Sequence, residues 1–349
     1  MKICFVVRSV YSQSLTYTTT HLAYEAKRRG HEVVYTTVNS FSTTHDLTVR
    51  ATVVSPGAGP FPNRLEFLRA LQGGSADREE VTLSDFDVVF LRYNPNESDG
   101  EKDKSKNPAI EFGRLLKLHG VYVVNDPNGL SKAASKMYLS SFPPEIRART
   151  LITRSAFKIK EFVREIRRPT ILKPLSGFGG QDVFFIKNAK EININQIIST
   201  VAKSGYVMAQ EYIPEVKKGD KRLLLVNGSP IFVGNRAAMY RRMAPKGDIR
   251  SNMHVGGTRK KVEFTKVEAH IAELIRPKLI ADGLYFVGAD IVGNKLLEIN
   301  VFCPGGINNI NELYQINVGA AVIEDLEKRV RLIKSRPQGR SNLSLVKNG

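Results

Sequence analysis

Asp290, Glu298 and Asn300 lie in the stretch Phe286-Val287-Gly288-Ala289-Asp290-Ile291-Val292-Gly293-Asn294-Lys295-Leu296-Leu297-Glu298-Ile299-Asn300. Their oxygen-bearing side chains interrupt apolar runs on either side of a Gly-Asn turn. Strand side chains alternate faces, so Glu298 and Asn300 share one. A three-residue turn at 293–295 pairs Asp290 with Glu298 and brings all three to one point. A two-residue turn sends Asp290 to the other face, so the reading requires the longer turn. Such donors suit a hard cation, Mg²⁺ with Mn²⁺ as a substitute, and not Zn²⁺. The bland alternative is solvent-facing alternation in an edge hairpin, which sits badly with Glu298 inside Leu296-Leu297-Glu298-Ile299-Asn300-Val301-Phe302.

A second constellation is Thr170-Ile171-Leu172-Lys173-Pro174-Leu175-Ser176-Gly177-Phe178-Gly179-Gly180-Gln181-Asp182. A strand delivers Lys173, and the glycines then free the backbone to lie close to a ligand. Exposed amides in such a loop cradle phosphate oxygens, with the lysine as a point charge beside them. No Lys-Ser/Thr pair opens a helix afterwards, which excludes a Walker A loop, and the glycine spacing excludes a dinucleotide fingerprint. Taken by itself, the segment reads equally well as a glycine-rich hairpin. A third stretch, Gln210-Glu211-Tyr212-Ile213-Pro214 followed by Gly219-Asp220-Lys221-Arg222, offers an extended backbone to a purine edge, Asp220 to a ribose hydroxyl and Arg222 to phosphate. No Ser/His/Asp or Cys/His constellation is apparent. Nothing near Cys303 would activate it, so it reads as a packed thiol.

The elements that must position these residues change character along the chain. Residues 2–8 read as a buried strand, 16–29 as a helix stopped by Gly30, and 32–38, 87–92 and 121–125 as further strands, with a helix at 108–119. This alternation predicts a parallel, doubly wound N-terminal sheet, with 54–85 as a surface excursion. After Asn125 come a helix at 131–141, strands at 149–153, 170–173, 182–186, 206–213 and 222–227, and helices at 156–165 and 193–203. A helix at 266–282 and a hairpin at 285–302 close an α+β module.

The 349 residues allow two or three packed subdomains, and the 42% hydrophobic and 25% charged fractions are ordinary for a globular chain. No apolar run approaches the roughly 20 residues needed to span a bilayer, and the opening apolar run is too short for a signal peptide. Two cysteines, Cys4 and Cys303, make neither a disulfide framework nor a metal knuckle, which predicts a cytoplasmic protein. The formal charge of +18 is unusual. One basic cluster runs from Arg236 to Lys261, with Asp248 as its single acid, and another from Lys328 to the end. The first is poor in the aromatics that stack bases, so anionic small substrates are a better reading than nucleic acid. The second reads as a solvated, frayed terminus. Within the first, the loop 241–257 is expected to be mobile until phosphates or donor carboxylates give Arg242 and Arg250 partners, and then to close and exclude water.

These signals, in this order, resemble the ATP-grasp superfamily and within it bacterial glutathione synthetase. The resemblance covers most of the chain: Arg28-Arg29-Gly30-His31-Glu32, Lys173 to Gly180, Gly219 to Arg222, Gly247-Asp248-Ile249-Arg250-Ser251-Asn252 with Gly256-Gly257, Val287-Gly288-Ala289-Asp290 and Glu298-Ile299-Asn300. It implies an α/β ATP-grasp fold. A Rossmann-like preATP domain would span 1–126 and an ATP-grasp domain 127–330, with a lid module at about 150–210, an ATP- and Mg-binding part at about 211–330, and a basic tail at 331–349. It implies Mg²⁺ on Asp290, Glu298 and Asn300, Lys136 and Lys173 on phosphate, Ser176, Gly177, Phe178, Gly179 and Gly180 around it, Gln210, Glu211, Tyr212 and Ile213 as adenine hinge, and Asp220 on ribose. Arg222 and Arg242, with Arg250, would face the transferred phosphoryl group. Two departures stand out. About five extra residues lie between Arg222 and Arg242, which leaves Arg241 as an alternative to Arg242. The segment Val301-Phe302-Cys303-Pro304-Gly305-Gly306-Ile307, which should border the acceptor amine, replaces smaller polar residues. The implied activity is ATP-dependent joining of a carboxylate to an amine through an acyl phosphate, glutathione synthase first. Another amino-acid or peptide ligase is the alternative, and a nucleic-acid-binding protein without catalysis a third reading. Small anionic peptides or amino acids are the expected partners, no membrane is, and homo-oligomeric assembly is left open.

Overall fold

The computed structural model describes residues 1–74, 76–94, 107–175, 182–203, 205–245 and 257–335. The N-terminal part holds β1 (Lys2–Val7), α1 (Thr18–Arg28), β2 (Glu32–Thr37), β3 (Phe41–Thr43), β4 (Val49–Ser55), α2 (Arg64–Gln72), β5 (Asp77–Thr82), β6 (Val88–Arg92), α3 (Pro108–Leu118) and β7 (Tyr122–Val124). They form one sheet in the order β3-β4-β2-β1-β6-β7, with β5 on the edge of β4. β1 is apolar along nearly its whole length because both its faces are covered.

This sheet corrects two expectations. Its β2-β1-β6-β7 centre is parallel, but β4, β3 and β5 pair antiparallel, so it is mixed. The described residues of 54–85 hold the end of β4, α2 and β5 and are not an excursion. Asn63 caps α2 by accepting from the Glu66 amide at 3.0 Å, and Phe67, Leu68 and Leu71 are buried beneath it.

The chain then passes through α4 (Pro127–Lys132), capped by Asp126, into a separate 3-10 turn at Lys136–Ser141, which replaces the single helix expected there. A second sheet, β8 (Thr150–Thr153), β9 (Thr170–Pro174), β10 (Phe184–Ile186) and β11 (Val207–Glu211), runs in the order β10-β9-β11-β8. The helices α5 (Ala156–Ile166) and α6 (Ile194–Ala202) cover it. Its core is its own, built from Ile159, Val163, Leu172, Ile186, Ile198 and Val207 among others.

A third sheet contains β12 (Asp220–Val226), β13 (Ser229–Pro230), β16 (Met239–Met243), β17 (Thr258–Lys260), β18 (Phe286–Val292) and β19 (Lys295–Asn300), in the order β17-β16-β12-β18-β19 with β13 beside β12. Between β13 and β16 lies a short hairpin of β14 (Phe232–Val233) and β15 (Arg236–Ala237). The helices α7 (Lys266–Ala281), α8 (Ile307–Tyr314) and α9 (Val318–Lys334) complete the fold. Leu224, Val226 and Phe286 of this sheet share a core with Ile3, Phe5 and Phe90 of the first. Asn125, 4% exposed, joins the two directly: its amide group donates to Phe286 O at 2.8 Å and Val301 O at 2.6 Å and accepts from Phe286 N at 2.7 Å. α9 takes in Lys328 to Lys334, so much of the expected frayed tail is helix; residues 336–349 lie outside the described residues. Among the described residues, no helix is long and apolar enough to cross a membrane.

Candidate active site

Four neighbouring strands of the third sheet carry the charged residues singled out in the sequence. Arg222 stands opposite Asp290 on β12 and β18, Asp220 opposite Arg242 on β12 and β16, and Asp290 opposite Glu298 on β18 and β19. Directly opposed side chains project from the same face, so these groups form one array. The Asp290–Glu298 pairing arises differently from the expectation. Val292 pairs with Lys295 across a two-residue Gly293-Asn294 turn, and a bulge at Leu297 then shifts the register. The extra residue returns Glu298 and Asn300 to the face of Asp290.

Asp290 is 3% exposed and sits between two guanidinium groups. Arg222 grips it with two bonds, Nε to Oδ1 and Nη2 to Oδ2, the latter at 2.9 Å. Arg242 approaches Oδ2 at 2.8 Å and also bonds Asp220 Oδ2, with Nε at 2.9 Å. Burial pushes the Asp290 carboxyl up, but Arg222 and Arg242 outweigh it and hold the group at about 2. By the same balance burial disfavours charge on Arg222 and Arg242, and the carboxylates beside them reverse this and raise both. Asn300 donates to Asp290 Oδ2 at 3.1 Å and to Gly288 O at 3.4 Å. Arg241 points elsewhere, to Lys218 O at 2.7 Å. Of the two candidates Arg242 therefore faces the array, and both belong to a strand and not to a loop.

The second sheet and the 3-10 turn supply lysines. Lys173 on β9 donates to Gln210 Oε1 at 3.0 Å, and Gln210 is held in turn by Thr150 Oγ1 at 3.2 Å. Burial lowers Lys173 to about 8, with attraction from Glu298 opposing and repulsion from Lys136 adding. Burial also lowers Lys136, again against Glu298. The turn bearing Lys136 is tied to the end of β9 by Lys136 N to Leu175 O at 3.2 Å. Glu298 thus faces two lysines, and among the described residues its carboxylate has no hydrogen bond or ion pair. Of the expected hinge, the Gln210 side chain serves Lys173, Glu211 pairs with Arg168 at 2.6 Å, and Tyr212 N donates to Pro169 O at 2.8 Å. Ser176, Gly177, Phe178, Gly179, Gly180 and Arg250 lie outside the described residues, as does most of the basic loop.

Among the described residues no group of three or more His, Cys, Asp or Glu gathers at metal distance. Two carboxylates and an amide do converge, and this set fits Mg²⁺, which binds through one or two carboxylates and completes its shell with water and substrate phosphates. The sequence did not single out Arg92, Thr19 or Asn125. The one signal for Arg92 was a charge ending the apolar run Val88–Leu91.

The fold that carries this array has counterparts among solved structures. D-cycloserine synthetase DcsG matches with a TM-score of 0.62 at 14% identity, over 94% of this chain and 100% of that one. The ATP-grasp ligase PsnB, complexed with a phosphomimetic variant of its minimal precursor, Mg and ADP, matches with a TM-score of 0.61 at 14% identity, over 94% and 98%. The fold is that of the ATP-grasp enzymes. Within that class the chain belongs to the prokaryotic glutathione synthetase family: the model of its N-terminal domain matches residues 1–131 and that of its ATP-grasp domain residues 135–315. The glutathione synthetase of Vibrio parahaemolyticus is 32% identical over 311 residues, 88% of this chain and 91% of the relative. That of Synechococcus elongatus is 32% identical over 348 residues, 95% and 99%. The chain is accordingly an ATP-dependent C–N ligase.

Proposed function

We propose that this ligase is a glutathione synthase, which joins γ-glutamylcysteine to glycine and converts ATP to ADP and phosphate. The observation that carries the reading is the buried Asp290–Arg222–Arg242 array beside Glu298 and Lys173, in a chain matched nearly end to end by relatives named glutathione synthetase.

The donor carboxylate oxygen attacks the γ-phosphorus, the β–γ bridging P–O bond breaks, and ADP leaves. The acceptor nitrogen then attacks the acyl carbon of the resulting acyl phosphate, the C–O bond breaks, phosphate departs and the amine loses a proton. Mg²⁺, when bound, neutralises charge on the phosphate oxygens. Asp290, Glu298 and Asn300 would hold it. Arg222 and Arg242, already fixed by Asp290 and Asp220, present fixed positive charge where phosphoryl charge develops, so little reorganisation is needed at reaction. Lys173, clamped by Gln210, adds charge from the second sheet, and Lys136 from the 3-10 turn. The Tyr212 amide is engaged by Pro169 O, and among the described residues the Ile213 amide has no acceptor. Ile213 N–H is therefore the hinge donor we assign to a purine ring nitrogen.

Supply of γ-glutamylcysteine, glycine, ATP and Mg²⁺ should release phosphate and yield the tripeptide by mass spectrometry. No tripeptide, with a different pair ligated from a donor and acceptor panel, overturns the assignment. The segment from Val301 to Ile307 favours that second reading, another peptide or amino-acid ligase, since its bulky residues adjoin the last ligand of the array.

A further inference from the structure

The segment Pro304-Gly305-Gly306 lies between β19, which ends at Asn300, and α8, and two of its carbonyls are gripped. Arg92 Nη2 donates to Pro304 O at 3.2 Å, and Arg222 Nη1 to Gly305 O at 3.3 Å. Gly306 has φ +125°, and a Cβ there would lie 2.9 Å from Tyr240 Cε1. Ile307 N donates to Thr18 Oγ1 at 3.4 Å. Consecutive carbonyls are thus held by two guanidinium groups from different sheets. Arg222 belongs to the phosphoryl array. Arg92 ends β6 in the N-terminal sheet, is 7% exposed, bonds Thr19 Oγ1 through Nε at 3.1 Å, and packs over the Phe286 ring at 5.8 Å. A guanidinium fixed on three sides by a hydroxyl, a carbonyl and a ring has little freedom, and its planar fork transmits that order to what it bonds.

We propose that Arg92, locked by Thr19, is a positioning residue for the amine acceptor. It sets the height of Pro304–Gly306 against Arg222, and so the distance from the bound amine to the acyl carbon. The inference rests on the acyl-phosphate reading above. The order of the chain carries it further. The segment starts four residues after Asn300 and ends at α8, and its Gly305 carbonyl meets Arg222, so it adjoins the array. The second sheet brings Lys173 to the array, and the N-terminal sheet, through Arg92, fixes the segment that adjoins it. Since among the described residues Arg92 bonds the Thr19 hydroxyl and the Pro304 carbonyl and not the array's side chains, its loss displaces that segment and leaves Asp290, Arg242 and Glu298 in place. Binding of the amine then weakens while phosphoryl transfer from ATP to the donor survives.

The test compares wild type, Arg92→Ala, Arg92→Lys and Thr19→Val, with the amine that an acceptor panel identifies as ligated by wild type. A wrong guess at glycine thereby overturns the substrate reading and leaves this comparison intact. For Arg92→Ala we expect KM for the amine to rise about tenfold or more, with KM for ATP and kcat within about threefold, the signature of lost positioning and not of lost chemistry. Phosphate released per peptide bond should climb above the wild-type ratio as unclaimed acyl phosphate hydrolyses. Arg92→Lys, which still reaches Pro304 O, should recover part of the loss, and Thr19→Val should show a smaller shift in the same direction. Should Arg92→Ala fail to fold, these two milder variants carry the comparison. An unchanged amine KM in the folded variants overturns the proposal, and so does an equal rise for ATP and amine.

Discussion

Asp290 and Glu298 are cross-strand neighbours with opposite local economies of charge. Asp290 neutralises two buried arginines, so Asp290→Asn leaves both without their shared counter-ion. Removing one partner of a buried ion pair costs about 3–5 kcal/mol. That variant should lose its folding stability together with its activity. Glu298 has no hydrogen bond or ion pair among the described residues, so Glu298→Gln should melt within a few degrees of wild type. It should nonetheless lose turnover by about a hundredfold and bind nucleotide without Mg²⁺ dependence, because a neutral amide cannot balance a divalent charge. Thermal melts and calorimetry with and without Mg²⁺ separate the two behaviours. Wild-type turnover in Glu298→Gln would remove it from the metal set. Both residues were legible in the sequence, as acids inside apolar strands, and so were Lys173 and Arg222. Arg92 was not: its partners Thr19 and Pro304 lie 73 and 212 residues away, and no local pattern encodes such contacts.

Among the elements, the hairpin of β18 and β19 shows why spacing alone did not fix its own explanation. Its turn is two residues long, and only the bulge at Leu297 brings Glu298 opposite Asp290; a bulge leaves no mark in composition. The stretch 54–85 was hidden for another reason. Pro56, Gly57, Gly59, Pro60 and Pro62 punctuate its start, and β5, Asp-Arg-Glu-Glu-Val-Thr, is an exposed edge strand whose charges mask its period while they protect it from pairing. Strands buried on both faces, such as β1 and β6, were plain because burial demands apolar runs. The turn into β12 supports a sharper expectation. Gly219 and Gly30 share a left-handed φ of +82°, yet a Cβ on Gly219 would lie 2.2 Å from Arg242 O, whereas one on Gly30 meets nothing within 4 Å. Gly30→Ala should therefore cost only backbone strain, about 1 kcal/mol, and keep full activity. Gly219→Ala must also push the β16 backbone away and with it the Arg242 bonds to Asp220 and Asp290. We expect a loss of about 2–4 kcal/mol and at least tenfold in kcat. Chemical denaturation and turnover of the pair check this, and equal behaviour of the two variants would contradict it.

At the scale of the whole molecule, the turn between α1 and β2 is fastened to the last helix by one carboxylate. Glu327 on α9 accepts from Arg29 Nη2 at 2.7 Å and Nε at 2.8 Å, and meets His31 Nε2 at 2.8 Å; the terminal ammonium of Met1 meets the other ring nitrogen of His31 at 3.2 Å. The Glu327 side chain is 13% exposed; its bonds to Arg29 outweigh burial, which raises it, and with His31 hold it at about 2, below the ordinary 4.5. A carboxylate lowered by folding adds stability that is complete above its unfolded value and disappears as pH falls through the folded one. For Glu327 that window runs from about 4.5 down to about 2. His31 acts in the same direction at higher pH: burial lowers it, against Glu327 and with the Met1 ammonium and Arg29, so the unfolded chain takes up its proton first. Acid should therefore loosen the seam between α9 and the start of the N-terminal sheet. Glu327→Gln isolates the contribution, because its amide cannot ionise at any pH. Urea midpoints of wild type and variant should differ most at pH 5 and converge steadily toward pH 2.5, as wild type loses what the variant never had. The array around Asp290 lies on the third sheet, so turnover near neutral pH should change little in the same variant. A gap that stays constant from pH 5 to pH 2.5 would mean that Glu327 is not what holds that turn to α9.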